Sequence, residues 1–430
     1  MIRSSGITSF LKIISSLIFN PLYRFKFLFF LVSLLFIFSC SPTTRIPGKE
    51  IPHKEANINP VSGLRILLDK YDFAEVFSVE SAANIQDEKS KIALIKAGNT
   101  IECYLNDDLV QLSINGKNFE SKKYTIEPTT SDELLNINGK KYRGRIQISA
   151  SIGKIDLINI IEVEDYVKGV LPKEMPIGKD NENFEALKAL AICIRTYAIK
   201  KMHEGKIYFD LYGDTRDQVY GGADSEIPIS NKAVDETRDV ILKYDDEPAL
   251  IYYHSTCGGF TESAVNVFSN EEIPYLVSIE DGREPYCKIS PRFKWQEKFS
   301  NDIIVERLKS YSLLDDQNYE LKEISLLKKF DSGRISDLEI IVTNDDGDNK
   351  SMILHGNEIR SILRTADNKN ILWSTLFDII TDDNSIIFDG HGFGHGVGLC
   401  QWGAIALSRK GWSYRDILEH YYPGIIIYIN

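Results

Sequence analysis

Glu185-Ala186-Leu187-Lys188-Ala189-Leu190-Ala191-Ile192-Cys193-Ile194-Arg195-Thr196-Tyr197-Ala198 is the stretch on which the fold turns. Leu187, Leu190, Ala191, Ile194, Tyr197 and Ala198 recur three and four apart, the spacing of one helix face, and Asp180, Asn181 and Asn183 stand upstream as caps. One long helix is expected, its apolar stripe serving packing. Before it the period is different. From 64 to 161 the chain runs in short β-branched and aromatic stretches: Leu64-Arg65-Ile66-Leu67-Leu68, Ile92-Ala93-Leu94-Ile95, Val110-Gln111-Leu112-Ser113-Ile114, 142–148 and 155–161. Asn115-Gly116 and Asn138-Gly139 sit between such runs and favour hairpin turns, because Asn and Gly tolerate positive φ. An antiparallel β region followed by helices makes the expected class α+β.

The chain begins with an uncharged apolar run, 27–39, preceded by Lys12, Arg24 and Lys26 and followed at once by Cys40. That pattern is a signal peptide, too short to span a bilayer well. Ile37-Phe38-Ser39-Cys40 resembles the lipobox of bacterial lipoproteins, in which the cysteine sulfur carries the lipid after cleavage. The expectation is an exported protein anchored to a bacterial membrane through Cys40, facing the periplasm or cell wall. Residues 40–62, with Pro42, Pro47 and Pro52, read as a flexible tether. The body divides into a β-rich part (63–160), a core (161–300), an inserted α/β subdomain (301–385) and a C-terminal segment (386–430) that completes the core.

A net charge of −12, with both signs interspersed and no basic stripe, argues against nucleic acid as a partner. A neutral or carbohydrate substrate fits this balance. With Cys40 assigned to lipid, Cys103, Cys193, Cys257, Cys287 and Cys400 remain, and five cannot all pair.

Three islands carry candidate chemistry. In 163–176, Glu174 lies among Leu171, Met175 and Pro176, where partial desolvation would raise its pKa toward that of a general acid; the plainer reading is a solvated loop glutamate beside Lys173. In Tyr252-Tyr253-His254-Ser255-Thr256-Cys257-Gly258-Gly259, His254 and Cys257 together with Cys287 supply three nitrogen and sulfur ligands of a zinc site. A Cys257 to Cys287 disulfide is the alternative. The third island, 390–398, has glycine at every second position and fails the spacing of a dinucleotide loop. Such glycines permit close backbone approach to a sugar ring or to the catalytic loop, and His391 and His395 within it are candidates for metal or substrate contacts.

Taken in order, five motifs resemble the family of stage II sporulation protein D, which also includes amidase enhancers. They are 164–170 running into Glu174-Met175-Pro176; 185–191 followed by Arg195-Thr196-Tyr197-Ala198; Gln218-Val219-Tyr220-Gly221-Gly222; Ser255-Thr256-Cys257-Gly258-Gly259; and 391–398 leading to Gln401-Trp402-Gly403-Ala404. The resemblance runs from about Gly63 to the end. It implies a lytic transglycosylase that cleaves peptidoglycan glycan strands, preferably peptide-stripped, between N-acetylmuramic acid and N-acetylglucosamine, with Glu174 as the catalytic acid. It also implies zinc near the active site as a cofactor, and a sugar groove lined by Arg195, Thr196, Tyr197, Gln218, Tyr220, Ser255, Gln401, His391 and His395. A non-catalytic glycan-binding module that stimulates a cell-wall amidase is the competing expectation, and a zinc hydrolase using His254, Cys257 and His395 is a third. Two departures from the family pattern, Leu190 where Gln is usual and Cys193 where Ala is common, bear on helix packing.

Overall fold

The structure, a computed structural model, describes residues 63–382 and 385–429. The expected signal peptide, tether and lipidated Cys40 lie outside the described residues. The class is α+β, as expected.

The N-terminal part is built on two sheets, antiparallel except where Leu211–Tyr212 joins Leu64–Tyr71 in parallel. Strand Leu64–Tyr71 pairs with Lys154–Ile161, which pairs in turn with Arg145–Ser151, inside a seven-stranded sheet. A six-stranded sheet contains Ala74–Val79, Asn99–Asn106 and Leu109–Ile114. Period-two alternation sets which side chains enter the core: Val110, Leu112 and Ile114 are buried, while Gln111 and Ser113 are partly exposed. Both Asn-Gly turns form, with Asn115 and Gly116 at φ 50° and 76° and Asn138 and Gly139 at φ 51° and 73°. The run 142–148 is interrupted at Gly144, where φ is +73° and a Cβ would lie 2.2 Å from the Ile160 carbonyl oxygen. Strand Lys154–Ile161 is buried on both faces, because Ile158 and Ile160 join Leu67 in a small separate cluster against Phe209 and Tyr212.

Three helices follow: α1 (Val163–Glu174), α2 (Phe184–His203) and α3 (Pro228–Glu236). The expected long helix is α2, but it is surrounded rather than striped. Every residue from Ala189 to Thr196 is buried, and α1, α3, the strand Val240–Tyr244 and the two C-terminal helices pack around it. Small side chains at Ala186, Ala189 and Ala191 allow that many neighbours to approach. Asn183 occupies the N-cap position without capping; its Nδ2 donates to the Pro176 carbonyl (3.0 Å) and its Oδ1 accepts from Arg409 (2.9 Å).

A second apolar core is formed by residues including Trp295, Phe299, Leu308, Leu338, Ile340 and Phe388. It holds α4 (Asn301–Ser310) and α5 (Glu358–Leu363), and a meander of Tyr319–Lys329, Ile335–Asn344 and Asn349–His355. Strands Lys294–Ser300 and Ser385–His391, which flank the 301–385 segment, pair with each other and close this core. The subdomain is hooked to the first core by Arg334, whose Nη2 donates to the Cys257 carbonyl (2.7 Å), and by a Ser332 hydroxyl bonded to Glu262.

The chain finishes with α6 (Gln401–Arg409) and α7 (Tyr414–Tyr421), the latter started by a Ser413/Asp416 capping box. Strand Ile426–Ile429 then pairs antiparallel with Val240–Tyr244, so the C-terminus completes the core that α2 centres.

Candidate functional site

Helix α1 forms because Tyr166, Val167, Val170 and Leu171 make one buried face, while Glu164 and Asp165 sit in its first turn, where negative charge suits the dipole. Pro172 lies near its end, where one missing N–H is tolerated, and the helix stops two residues later with Met175 extended. Gly169 lies under the Tyr220 ring; a Cβ there would come within 2.4 Å of it. Glu174 is thus the last helical residue and half-buried, which corrects the reading of a solvated loop glutamate. Its Oε1 accepts from the Val219 backbone N–H (2.9 Å), and the Gln401 side chain, at the start of α6, lies next to it. Burial pushes the Glu174 pKa up, and the Val219 N–H and the neighbouring Gln401 amide oppose the rise.

Around this carboxyl the structure gathers a tyrosine and glutamine network. The Tyr166 hydroxyl donates to Gln218 Oε1 (3.0 Å), and the buried Tyr253 hydroxyl lies beside Gln218. Gln218 Nε2 is buried with no protein partner. Tyr220 packs on Tyr166 with ring centroids 5.4 Å apart and donates to Asn159 (2.8 Å), and Tyr197 donates to Asp217. Sequence reasoning gave no role to Tyr166, Tyr253 or Val219, although each stands inside or next to a quoted motif. Their proximity to Glu174 is long-range, and no spacing rule reports it.

The glycine run approaches its own protein. A Cβ on Gly392 would lie 2.7 Å from the Thr256 carbonyl oxygen, one on Gly394 2.9 Å from the His254 Cβ, and one on Gly398 2.0 Å from the Tyr252 carbonyl oxygen. Thus the run lies against 252–257, with Tyr253↔Leu399 and His254↔Cys400 paired in parallel. Gly398 also has φ +70°, so Gly398→Ala is expected to cost at least about 2 kcal/mol, read as a lower urea midpoint. His395 is half-buried within this contact: Nδ1 accepts from Val397 N–H (3.1 Å), so Nε2–H donates to the Tyr253 carbonyl (3.0 Å). Burial pushes its pKa down to about 3, which keeps the ring neutral as a staple. His391 is half-buried against Phe293, with ring centroids 5.6 Å apart.

Cys257 and Cys287 come together as expected, but with Cys400 and Asp281; ligand atoms of all four lie within 4.8 Å of one another. His254 is outside that group: its Nδ1 faces the Val397 carbonyl (3.2 Å), its ring packs on His395, and burial drives its pKa well down. Ser255 is half-buried, its hydroxyl 3.3 Å from that of Thr256, and its carbonyl accepts from Trp402 N–H (3.0 Å).

Five expected groove residues are buried instead: Gln218, Tyr220 and Gln401, and, within the core around α2, Arg195 and Thr196. Arg195, 1% exposed, forms a two-pronged pair with Glu164 (2.7 and 2.8 Å) and donates to the Val240 carbonyl (2.9 Å). Thr196 is fully buried, donating to the Ile192 carbonyl (2.7 Å) and accepting from Leu242 N–H (2.9 Å). A cavity of about 500 Å³ lined by Glu162, Glu164, Asp165, Arg195 and Arg238 opens at the start of α1, the opposite end of that helix from Glu174.

Comparison with known proteins places two profiles on the chain. Residues 151–244 match the family described as stage II sporulation protein, and 286–398 match a domain of unknown function. An uncharacterized protein of Brachyspira hyodysenteriae is 34% identical over 296 residues, covering 68% of this chain and 74% of that protein. The amidase enhancer of Bacillus subtilis is 28% identical over 401 residues, 85% of this chain but only 55% of the enhancer. Stage II sporulation protein D of Bacillus amyloliquefaciens is 29% identical over 285 residues, covering 62% of this chain and 74% of that protein.

Proposed function

This chain belongs to the family of stage II sporulation protein D and the amidase enhancers, and on that premise we propose that it is a peptidoglycan lytic transglycosylase with Glu174 as its single general acid and base. One observation carries the reading: Glu174 stands half-buried at the end of α1, its Oε1 held by the Val219 N–H and its pKa pushed up by burial, as a general acid requires. Glycosidases that use water place two carboxyl groups across the bond. A reaction with an internal nucleophile does not need the second.

In the proposed reaction, Glu174 gives its proton to the glycosidic oxygen as the bond from muramic acid C1 breaks. The muramic acid 6-hydroxyl oxygen attacks C1, and its proton returns to the Glu174 carboxylate. The products are a 1,6-anhydro-muramic end and a free glucosamine 4-hydroxyl; no water is consumed, and the enzyme is restored. Tethering makes this attack efficient, since effective molarities of well-placed groups reach about 10⁵ M or more. Gln218, with a free amide N–H, and the Tyr253 hydroxyl are buried polar groups behind this site. The test is to incubate the full-length protein with peptide-stripped and intact peptidoglycan and to analyse the products by mass spectrometry; anhydro ends are expected, stripped strands reacting faster.

Glu174 must be protonated to begin, so kcat/KM is expected to fall as pH rises through its raised pKa. Gln401→Ala removes a polar neighbour that favours the carboxylate, which raises that pKa further. The alkaline limb of the pH profile is expected to move to higher pH in this variant; an unmoved limb removes Gln401 from the site.

The similarity to an amidase enhancer over 85% of this chain favours a second reading, a glycan-binding module that stimulates a cell-wall amidase. Glycan binding and a raised amidase rate without anhydro ends would establish it. For either role we propose export and lipid anchoring at Cys40, expected to appear as lipid-precursor labelling that Cys40→Ala abolishes.

A further inference from the structure

We propose that Cys257, Asp281, Cys287 and Cys400 hold one zinc ion as a closed structural site that pins the start of α6 to the 255–259 loop. The four donors come from three distant stretches of chain, and all are buried. Their atoms lie within 4.8 Å of one another, with Cys257 and Cys287 Sγ 3.4 Å apart. Zinc at about 2.3 Å from sulfur and about 2.0–2.2 Å from a carboxylate oxygen sets tetrahedral ligands roughly 3.5–3.8 Å apart. Small side-chain adjustments therefore complete the geometry.

The surroundings are built for anionic sulfur. Backbone N–H groups of Cys257 (3.2 Å) and Gly403 (3.4 Å) converge on Cys400 Sγ at the N-terminus of α6. The sulfur also lies 3.7 Å from the Ser255 carbonyl, to which it donates as a thiol and which it gives up on losing its proton to metal. The Asp281 carboxyl is aimed by Tyr421 Oη–H onto Oδ1 (2.6 Å) and by Cys287 N–H onto Oδ2 (2.8 Å), the outer contacts that orient metal-bound carboxylates. Gly403 leaves room for them: a Cβ there would meet the Tyr421 oxygen at 1.9 Å and Asp281 Oδ1 at 2.6 Å. Three thiolates, one carboxylate and Zn²⁺ sum to −2, and the buried Arg334, bonded to the Cys257 carbonyl, adds a compensating positive charge.

A disulfide accounts for less. Pairing Cys257 with Cys287 leaves a third thiol and a buried carboxyl converging on the same point with no cation between them. Four protein ligands leave no open position, so the ion's role is to fix structure rather than to bind substrate. Cys400 immediately precedes Gln401, and the site therefore sets where that amide meets Glu174; this consequence alone rests on the function proposed above.

The test is metal analysis of the full-length chain purified without added zinc, with thiol alkylation under denaturing, non-reducing conditions. One zinc per chain is expected, with Cys257, Cys287 and Cys400 all alkylated once the metal is chelated. Cobalt(II) reconstitution is expected to give intense sulfur-to-cobalt charge-transfer bands, and Cys400→Ser to lose zinc where Cys193→Ala, buried elsewhere, keeps it. A folded chain without metal whose Cys257 and Cys287 resist alkylation as a linked pair overturns the site, as does full zinc retention in both Cys400→Ser and Asp281→Asn. Should Cys400→Ser fail to fold, metal content and alkylation of the unaltered chain decide alone. Zinc bound as expected but no anhydro ends would leave this site standing while the transglycosylase reading fell.

Discussion

Glu174→Gln is expected to abolish 1,6-anhydro-muramic ends, with turnover falling by about 10²- to 10⁴-fold, the usual share of a general acid or base. The amide keeps the shape of the side chain and can still accept from Val219 N–H, so binding of glycan should survive. Stability should move the other way. The folded-state pKa of Glu174 lies above the ordinary 4.5, so the native state binds more protons than the unfolded state in the window above pH 4.5. Stability contributed by this group is full below that window and declines as pH rises through the folded pKa. Glu174→Gln removes the cost, and its urea midpoint is expected to exceed that of the unaltered chain near pH 8 and to converge with it near pH 4. Anhydro ends from the variant at the rate of the parent would end the transglycosylase assignment.

The second large effect is on folding. Arg195→Ala is expected to lose about 3–5 kcal/mol, because removing one partner of a buried ion pair leaves the other charged and unpaired. Here the stranded groups are Glu164 and the carbonyls of Val240 and Val234, which accept from the guanidinium at 2.9 and 3.4 Å. Replacing both members, Arg195→Met with Glu164→Leu, should cost clearly less than Arg195→Met alone, which distinguishes a pair from two separate roles. Glycan affinity per folded molecule should be unchanged. A normal urea midpoint with lost glycan binding would return Arg195 to the sugar groove where sequence reasoning placed it.

Arg195 stands in a motif with Tyr197, and neither composition nor spacing separates a residue facing a groove from one turned inward on an all-round buried helix. The prolines around Glu174 suggested a loop, yet Pro172 falls so near the end of α1 that the helix loses only one hydrogen bond and Glu174 remains helical. Among the strands, Val110–Ile114 was legible because its alternation matches one buried face. Asn99–Asn106 was passed over, although Ile101 and Cys103 alternate inward, because Asn, Glu and Thr dilute its apolar signal.

By itself the sequence determined the α+β class, the two Asn-Gly hairpins and the long helix that holds 187–198, since each follows from the local period or from the φ freedom of particular residues. Only the tertiary structure decided what surrounds Glu174 and the cysteines. Val219 and Gln401 reach Glu174 from 45 and 227 positions along the chain by the residue numbers alone, and Cys400 reaches Cys257 across a separation of 143. Such meetings are set by how sheets and helices close around α2 and by where glycines let two backbones touch, and these are properties of packing that no local pattern encodes.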